Sequence, residues 1–357
     1  MAPGSAYLQR VQILRFVAAM LVVLGHSEHE AIMRGGIDRP LGLFDWGLGV
    51  DLFFIISGFI MYHLMQDSFG RAGAPRAFLI KRLKRIVPLY WMMTLVVAAI
   101  LAFGSLRASD QNMLTVTQIA TSLAFIPWPQ TNGEIFPVFS LGWTLNYEMM
   151  FYAVMAACLT FTRRKGLIVM GVIFAALVAA RSVTPRDWWL IQFWGDPIIG
   201  EFLLGLAVAA AFKAGWRLHL PVAGIAVAFG MALAVLFYVT RTYDVVTRLV
   251  TGGIPAVLIA GAIILYGRDP AETRLTRFLA LAGDASYALY LTHPFAIKGC
   301  AILFTRSGLA LNWAIFIPIA ALVAIGLSLA VHLAIEKPVA RLLRARTKLL
   351  PTQAATS

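Results

Sequence analysis

Two ionisable side chains lie within the first apolar segment of the sequence. Arg15 and His26 are eleven residues apart, which in an α-helix places them within about 20° of the same face and about 16.5 Å apart along the axis. Histidine can act as a general base near neutral pH, and a guanidinium in a low-dielectric setting can hold a phosphate or a carboxylate. The pair is therefore a candidate for proton transfer and anion binding. The alternative is that both side chains only mark the two ends of a membrane-spanning helix.

A carboxylic acid lies in another apolar segment, at Glu148. In a helix, Thr144 stands one turn before it and Tyr152 one turn after it, so the three side chains share a face. An isolated carboxylate in such a setting would be protonated or paired. The candidate partners are Arg15, His26 or a substrate, and the alternative is a structural hydrogen bond between helices.

A strongly basic run, from Arg76 to Arg85, precedes the third apolar segment. Arg82 and Arg85 are one helical turn apart and could together hold a phosphate-rich ligand. The same run is also what membrane anchoring requires, because Lys and Arg collect at the cytoplasmic ends of spans and aromatic residues such as Tyr90 mark the interface. The spacing alone does not separate these two interpretations.

Two further ionisable residues lie in apolar segments. Asp51 stands at the head of the second segment and precedes Ser57, which is followed by a glycine that permits close helix approach. His293 falls in the middle of the ninth segment, directly before Pro294, which locally frees backbone carbonyl groups.

The cysteines and histidines indicate neither a disulfide framework nor a metal site. Cys158 and Cys300 lie in separate apolar segments and lack metal-ligand spacing. His26, His29 and Glu30 would share a helix face, but no fourth ligand accompanies them. We therefore predict no metal.

The elements that must position these residues are membrane-spanning helices. The chain has 357 residues, of which 60% are hydrophobic and 13% charged, whereas soluble domains carry about 25% charged residues. The apolar residues fall in blocks of about 20, the length that crosses a bilayer. The formal net charge is +13, but the basic residues lie in short loops between these blocks, as topology requires. This distribution predicts membrane lipids as partners and excludes nucleic acid.

We predict an all-α integral membrane protein, a bundle of about ten transmembrane helices with both termini in the cytoplasm. The predicted spans are residues 11–28, 46–66, 86–104, 139–161, 166–181, 197–213, 219–239, 249–267, 284–304 and 312–335. This arrangement puts 20 of the 30 Lys and Arg residues inside, 8 outside and 2 within spans, in agreement with the positive-inside rule. Residues 1–348 would form one membrane domain and residues 349–357 a disordered tail. The apolar stretch Val116–Trp128 is too short to cross, and we predict an interfacial or re-entrant piece.

Taken together, these clusters resemble the bacterial membrane acyltransferase-3 family, which includes O-acetyltransferases of O-antigen, exopolysaccharides and Nod factors. The matching motifs follow one another along nearly the whole chain: residues 12–19 with His26, 49–60, 82–91, 140–145 with Glu148, 286–293 and 336–338. Any one motif would be weak, whereas the ordered set is specific. Thr144 stands where the family often has Ser, a change that keeps the hydroxyl.

The resemblance implies a multi-pass enzyme of the bacterial inner membrane, which transfers an acyl group from acyl-CoA to a hydroxyl of a cell-surface or exported carbohydrate or lipid-linked glycan. Arg15 and His26 match the family's Arg-x10-His signature, and with Glu148 they are the expected catalytic residues. The expected binding residues are Arg82, Arg85, Asp51, Ser57, Tyr90, Trp143, Tyr152 and His293. Acetyl-CoA is the donor that the family's habit favours, and a succinyl donor stays open.

The expected mechanism is direct transfer. His26 takes the proton from the sugar hydroxyl as that oxygen attacks the thioester, and Glu148 orients or charge-balances the imidazole. Arg15, Arg82 and Arg85 hold the CoA phosphates. Relay through a protein nucleophile is a variant, although no Ser or Cys beside a base stands out.

Two other classes of function compete with this one. A secondary transporter of an anionic or lipid-linked sugar would use Arg15 and Glu148 as binding charges, but the sequence has neither inverted repeats nor paired interrupted helices. A structural assembly subunit would leave the intramembrane His and Glu unexplained. The sequence leaves the oligomeric state open.

Overall fold

The computed structural model describes residues 5–35, 41–105, 114–130, 133–242, 246–268, 271–308 and 312–348. Most of these residues lie in helices, and the only β-structure among them is two isolated bridges, Pro129 with Ile135 and Leu218 with Tyr266. The prediction of an all-α chain is confirmed. The predicted tail 349–357 lies outside the described residues.

Fourteen α-helices run through the described part of the chain. They are α1 Ser5–Gly35, α2 Leu48–Met65, α3 Ala74–Ser105, α4 Val116–Leu123, α5 Trp143–Cys158, α6 Arg163–Val183, α7 Trp189–Trp194, α8 Gly200–Lys213, α9 Leu220–Val239, α10 Ile254–Leu265, α11 Arg274–Asp284, α12 Ser286–Arg306, α13 Trp313–Val331 and α14 Lys337–Lys348. Short 3₁₀ turns precede α5 and α8, and single π-helical turns, Leu249–Gly253 and His332–Glu336, precede α10 and α14.

Seven helices of the described part are long and apolar enough to cross a membrane. They lie at Gln9–Arg34, Leu48–Met65, Ala74–Phe103, Arg163–Val183, Leu220–Val239, Ser286–Arg306 and Trp313–Leu343. The other three predicted spans coincide with shorter apolar helices: α5 has 16 residues, α8 has 14, and the third is the segment Leu249–Leu265. A multi-pass membrane protein is therefore confirmed, whereas ten crossings and the orientation of the termini stay predictions.

Several helix boundaries differ from the predicted ones for a physical reason. Helix α3 begins at Ala74, twelve residues before the predicted span, because the basic run has good helix formers and continues the helix beyond the apolar block. Helix α1 similarly continues to Gly35. The stretch predicted to be interfacial contains α4, a short helix whose N-terminus has a capping box formed by Thr115 and Gln118.

Helices α2 and α8 pack closely beside the site. A Cβ atom added at Gly58 would lie 3.1 Å from the Cα of Gly205, and one added at Gly205 would lie 3.0 Å from the Cα of Gly58. Each would also meet a backbone carbonyl oxygen of the facing helix, that of Phe202 or Ile55. The predicted close approach at Gly58 is confirmed, and it sets the depth of the neighbouring Ser57.

Replacing Gly205 by Ala should destabilise the bundle, because the new methyl group would overlap backbone atoms that cannot move aside. We expect a loss of about 1–3 kcal/mol in the free energy of unfolding, measured as a lower midpoint of thermal unfolding in detergent micelles. The matched control is Gly224→Ala in α9, where nothing lies within 4 Å of the added Cβ. Equal midpoints for the two variants would contradict the close contact.

Candidate active site

A cavity of about 400 Å³ lies between α1, α2, α3, α5 and the α11–α12 junction. Its polar lining includes Gln12, Arg15, Ser57, Arg82, Arg85, Thr144, Glu148, Tyr152, Asp284, Tyr287 and Tyr290. Apolar side chains of α2, such as Phe53 and Phe54, complete the wall. The structure thus brings together six of the predicted site residues that lie on four different helices: Arg15, Ser57, Arg82, Arg85, Glu148 and Tyr152.

Glu148 is held by two hydroxyl groups. Its Oε1 accepts a hydrogen bond from Ser57 Oγ at 3.0 Å and another from the Tyr152 hydroxyl. Thr144 and Tyr152 line the same cavity, so the predicted shared face is confirmed. Glu148 does not orient the imidazole of His26 by a hydrogen bond, because its hydrogen bonds go to Ser57 and Tyr152. Its charge-balancing role stays a prediction.

Two guanidinium groups in the cavity are not matched by a carboxylate. Arg15 donates to Oε1 of Gln12 at 2.9 Å, and the guanidinium carbon of Arg82 lies 5.7 Å from the ring centroid of Phe78 and 6.0 Å from that of Tyr152. Neither arginine forms an ion pair with any residue that the structure describes, and the buried Nε of Arg82 has no hydrogen-bond acceptor there. Their charges are therefore available to an anion.

Arg85 also lines the cavity, but its charge is already balanced. Its Nη1 lies 2.6 Å from Oε1 of Glu336, and the other oxygen of that carboxylate lies 2.7 Å from Nδ1 of His332. Both Glu336 and His332 are buried. The sequence prediction of Arg85 as a free phosphate ligand missed this pairing, since the two partners are 251 positions apart.

His26 lies beyond the cavity, on an exposed part of α1. Its Nδ1 is 2.9 Å from Nε2 of His293, and the two rings stack with centroids 4.9 Å apart. His293 is fully buried, and its Nδ1 lies 3.1 Å from the carbonyl oxygen of Leu289. The structure therefore joins two predicted site residues whose contact the sequence did not predict.

Tyr290 lies between the cavity and the histidine pair. Its hydroxyl is 2.8 Å from Oγ1 of Thr144 and donates to the carbonyl of Leu141 at 3.1 Å. Its ring centroid is 6.0 Å from that of Phe53 and 6.1 Å from that of His293. The sequence reasoning did not select Tyr290, although its position within the motif 286–293 was a signal.

The two predicted binding residues Tyr90 and Trp143 are aromatic side chains that lie outside the cavity lining. The buried Tyr90 donates a hydrogen bond to the carbonyl of Ser122 at 3.2 Å and packs on Phe125, with ring centroids 4.7 Å apart. Trp143 contacts Tyr147 edge to face, with ring centroids 5.9 Å apart. Tyr90 therefore attaches the α4 segment to α3, and both aromatic residues contribute packing in this structure.

The buried Asp51 forms an ion pair with the half-buried Arg248, away from the cavity. Its two oxygens lie 2.8 and 3.0 Å from Nε and Nη2 of Arg248, and Arg248 also reaches Asp45 at 3.2 Å. Burial acts to lower the pKa of the Arg248 guanidinium, but the charges of Asp51 and Asp45 outweigh it and raise that pKa above its ordinary value. We therefore correct the interpretation of Asp51 as a substrate ligand, since its carboxylate is occupied by Arg248.

Glu28 is a site-forming residue that the sequence reasoning missed. Its carboxylate is buried and accepts from the Trp46 indole and the Leu41 backbone N–H, both at 2.7 Å. These bonds hold Leu41 and Trp46 against α1 at Glu28, two residues after His26.

Known proteins match almost the entire chain. The acyltransferase domain of the acyltransferase-3 family matches residues 8–333. The exopolysaccharide production protein ExoZ of Rhizobium meliloti strain 1021 is 35% identical over 301 residues, which are 84% of this chain and 90% of that protein. BcsY of Komagataeibacter xylinus, named as a membrane-bound transacylase, is 28% identical over 302 residues, 78% of this chain and 70% of that protein. No solved structure matches the chain significantly.

Removing the Asp51 carboxylate should destabilise the protein, because the half-buried Arg248 would lose the buried one of its two carboxylate partners and keep only the exposed Asp45. For Asp51→Ala we expect a loss of about 1–3 kcal/mol in the free energy of unfolding, measured by thermal unfolding and by the yield of folded protein in membranes. The control is Glu30→Gln, which breaks the 2.5 Å pair with the exposed Arg34 and should cost at most about 1 kcal/mol. An Asp51→Ala variant as stable as this control would contradict a structural role.

Proposed function

The chain belongs to the acyltransferase-3 family, and from this membership we propose that it transfers an acyl group from acyl-CoA to a hydroxyl of a cell-surface or exported carbohydrate. The observation that supports this most is the division of the site along α1. A cavity with two unmatched guanidinium groups lies at Arg15, and an exposed histidine follows about 16.5 Å further along the same helix. The Arg15 end suits the binding of an anionic donor. The His26 end suits the removal of a proton from an acceptor hydroxyl.

The cavity suits the pantetheine and phosphate part of a CoA thioester. Its volume of about 400 Å³ lies within the range of about 300–1,000 Å³ of small-molecule sites. Arg15 and Arg82 would form charge-assisted hydrogen bonds to phosphate oxygens. Glu148, with its two hydroxyl donors, would orient the polar arm of the donor beside them. The family's habit favours acetyl as the group transferred.

A carbohydrate is the proposed acceptor. ExoZ, the relative with 35% identity, is named for exopolysaccharide production. By analogy, the proposed acceptor of this chain is an exopolysaccharide or its precursor. The exposed position of His26 would admit a large acceptor, which an enclosed cavity would exclude.

In the proposed step, the carbohydrate hydroxyl oxygen attacks the carbonyl carbon of the thioester. The new C–O bond forms as the C–S bond breaks, Nε2 of His26 takes the hydroxyl proton, and the same proton then passes to the thiolate that leaves. The products are an ester and free CoA with its thiol. For the groups to meet, the acyl arm must pass Tyr290.

Purified protein in liposomes should release free CoA from acetyl-CoA only when a polysaccharide acceptor is present. His26→Ala should lower this rate by about 10²-fold or more, because a general base contributes at least that much. The matched control is His29→Ala, an exposed histidine one turn further along α1, which should keep the rate of the unaltered protein. Transport of acceptor without CoA release would favour a secondary transporter instead.

Replacing Arg82 by Met should weaken donor binding while leaving the chemical step in place. We expect the KM for acetyl-CoA to rise about tenfold or more, the equivalent of one charge-assisted hydrogen bond of about 1.5–3 kcal/mol, with a smaller change in kcat. Arg76→Met is the control, because Arg76 is an exposed residue at the start of the same helix. If both variants keep the KM of the unaltered protein, Arg82 does not bind the donor.

Both termini are proposed to be cytoplasmic, with ten crossings in the inner membrane. A fluorescent-protein fusion after Ser357 should then fluoresce, and an alkaline phosphatase fusion there should be inactive. A phosphatase fusion after Thr242, in a segment predicted outside, should be active. The reverse pattern at either position would contradict this topology.

A further inference from the structure

We propose that His293 is a positioning residue, which determines that Nε2 rather than Nδ1 of His26 accepts the proton. The proposal rests on the transfer reaction proposed above and adds a second residue to its base. It follows from two hydrogen bonds and from the different burial of the two rings.

The first hydrogen bond fixes the tautomer of His293. Its Nδ1 lies 3.1 Å from the backbone carbonyl oxygen of Leu289, and a carbonyl oxygen can only accept. Nδ1 of a neutral His293 therefore carries the proton, and Nε2 has the free lone pair. The ring is fully buried, where an imidazolium without a counter-charge would be costly.

The second hydrogen bond transmits this choice to His26. Nε2 of His293 lies 2.9 Å from Nδ1 of His26. Since Nε2 of His293 accepts, Nδ1 of His26 must donate and carries the proton of its neutral ring. Nε2 of His26 is then unprotonated, and it belongs to the ring of the pair that is exposed. A free neutral histidine would be found in both tautomers, and only one of them suits the reaction.

His293 also keeps its role when His26 becomes charged. After Nε2 of His26 takes the hydroxyl proton, its Nδ1–H still donates to His293, now in a charge-assisted hydrogen bond. A carboxylate holds the base in this way in many hydrolases. Here Oε1 of Glu148 accepts from Ser57 and Tyr152, and a neutral imidazole is the hydrogen-bond partner of His26.

The direct test is the protonation state of the His26 ring. The full chain, labelled with ¹⁵N at its six histidines, would be studied by NMR in lipid nanodiscs, with His26→Ala identifying the signal. We expect the pattern of a ring protonated at Nδ1 in the unaltered protein. Protonation at Nε2 would overturn the proposal, and this readout stands whether or not the protein consumes acetyl-CoA.

Kinetics of two variants test the consequence. His293→Leu removes the acceptor, whereas His293→Gln can keep an amide oxygen near the position of Nε2. We expect kcat to fall about 10²-fold in the Leu variant and less than tenfold in the Gln variant, with the KM for acetyl-CoA unchanged in both. Equal losses in the two variants, or a loss confined to KM, would overturn the positioning role.

A double variant separates positioning from a general loss of structure. Residues that act as a unit are not additive, so His26→Ala with His293→Leu should retain the residual rate of His26→Ala alone. A further fall of tenfold or more in the double variant would mean that His293 acts independently of His26. If the NMR pattern is as expected but the unaltered protein releases no CoA, the tautomer assignment stands and the transfer reaction fails.

Discussion

Hydrocarbon offers no hydrogen-bonding partner, so a polar side chain inside this bundle is stabilised when it finds a partner within the protein. Three such pairs in the described part of the chain join positions that are distant in the sequence. Asp51 of α2 pairs with Arg248 before α10, Arg85 of α3 with Glu336 before α14, and His26 of α1 with His293 of α12. These pairs tie helices together at defined depths. The cavity and the exposed histidine are held in place by this set of bonds, with the glycine contact of α2 and α8 supplying the apolar counterpart.

The same constraint separates residues that hold the fold from residues that are free to bind. Asp51 and Arg85 are charged and buried or half-buried, as Arg15 and Arg82 are, yet their charges are balanced inside the protein. Each of the two single-turn π-helices lies at a member of such a pair. Arg248 directly precedes the turn Leu249–Gly253, and Glu336 is the last residue of the turn His332–Glu336. An added residue in a helical turn changes the direction in which neighbouring side chains point. The irregular turns therefore lie where helix geometry is adapted to an ion pair.

Much of the fold and part of the site could be predicted from the sequence. The features that could be predicted are local ones, and those that could not depend on which helices meet. Apolar block length predicted the helices, and a period of 3.6 residues correctly placed Thr144, Glu148 and Tyr152 on one face, since both are local properties. Partners were harder, because a sequence does not state which helices meet. Thus Asp51 was assigned to a substrate rather than to Arg248, and Glu148 was assigned to His26 although Ser57 and Tyr152 occupy it. Tyr90 and Trp143 stand in motifs of the family, and in this structure they pack against other aromatic rings.

The position of Tyr290 bears on whether protons and small ions can leak across the membrane through this protein. A cavity that continued unobstructed to the exposed ring of His26 would be a water-filled path, and such a path would conduct protons and small ions. The phenol ring lies between the cavity and the histidine pair, where it is fixed by Thr144 and the Leu141 carbonyl and flanked by Phe53 and His293. A thin, flexible chain could displace one aromatic ring and let it return, whereas a continuous column of water needs a permanent opening. If the acyl arm passes Tyr290 as proposed, the bilayer keeps its electrical resistance while the acyl group moves from one side of the ring to the other.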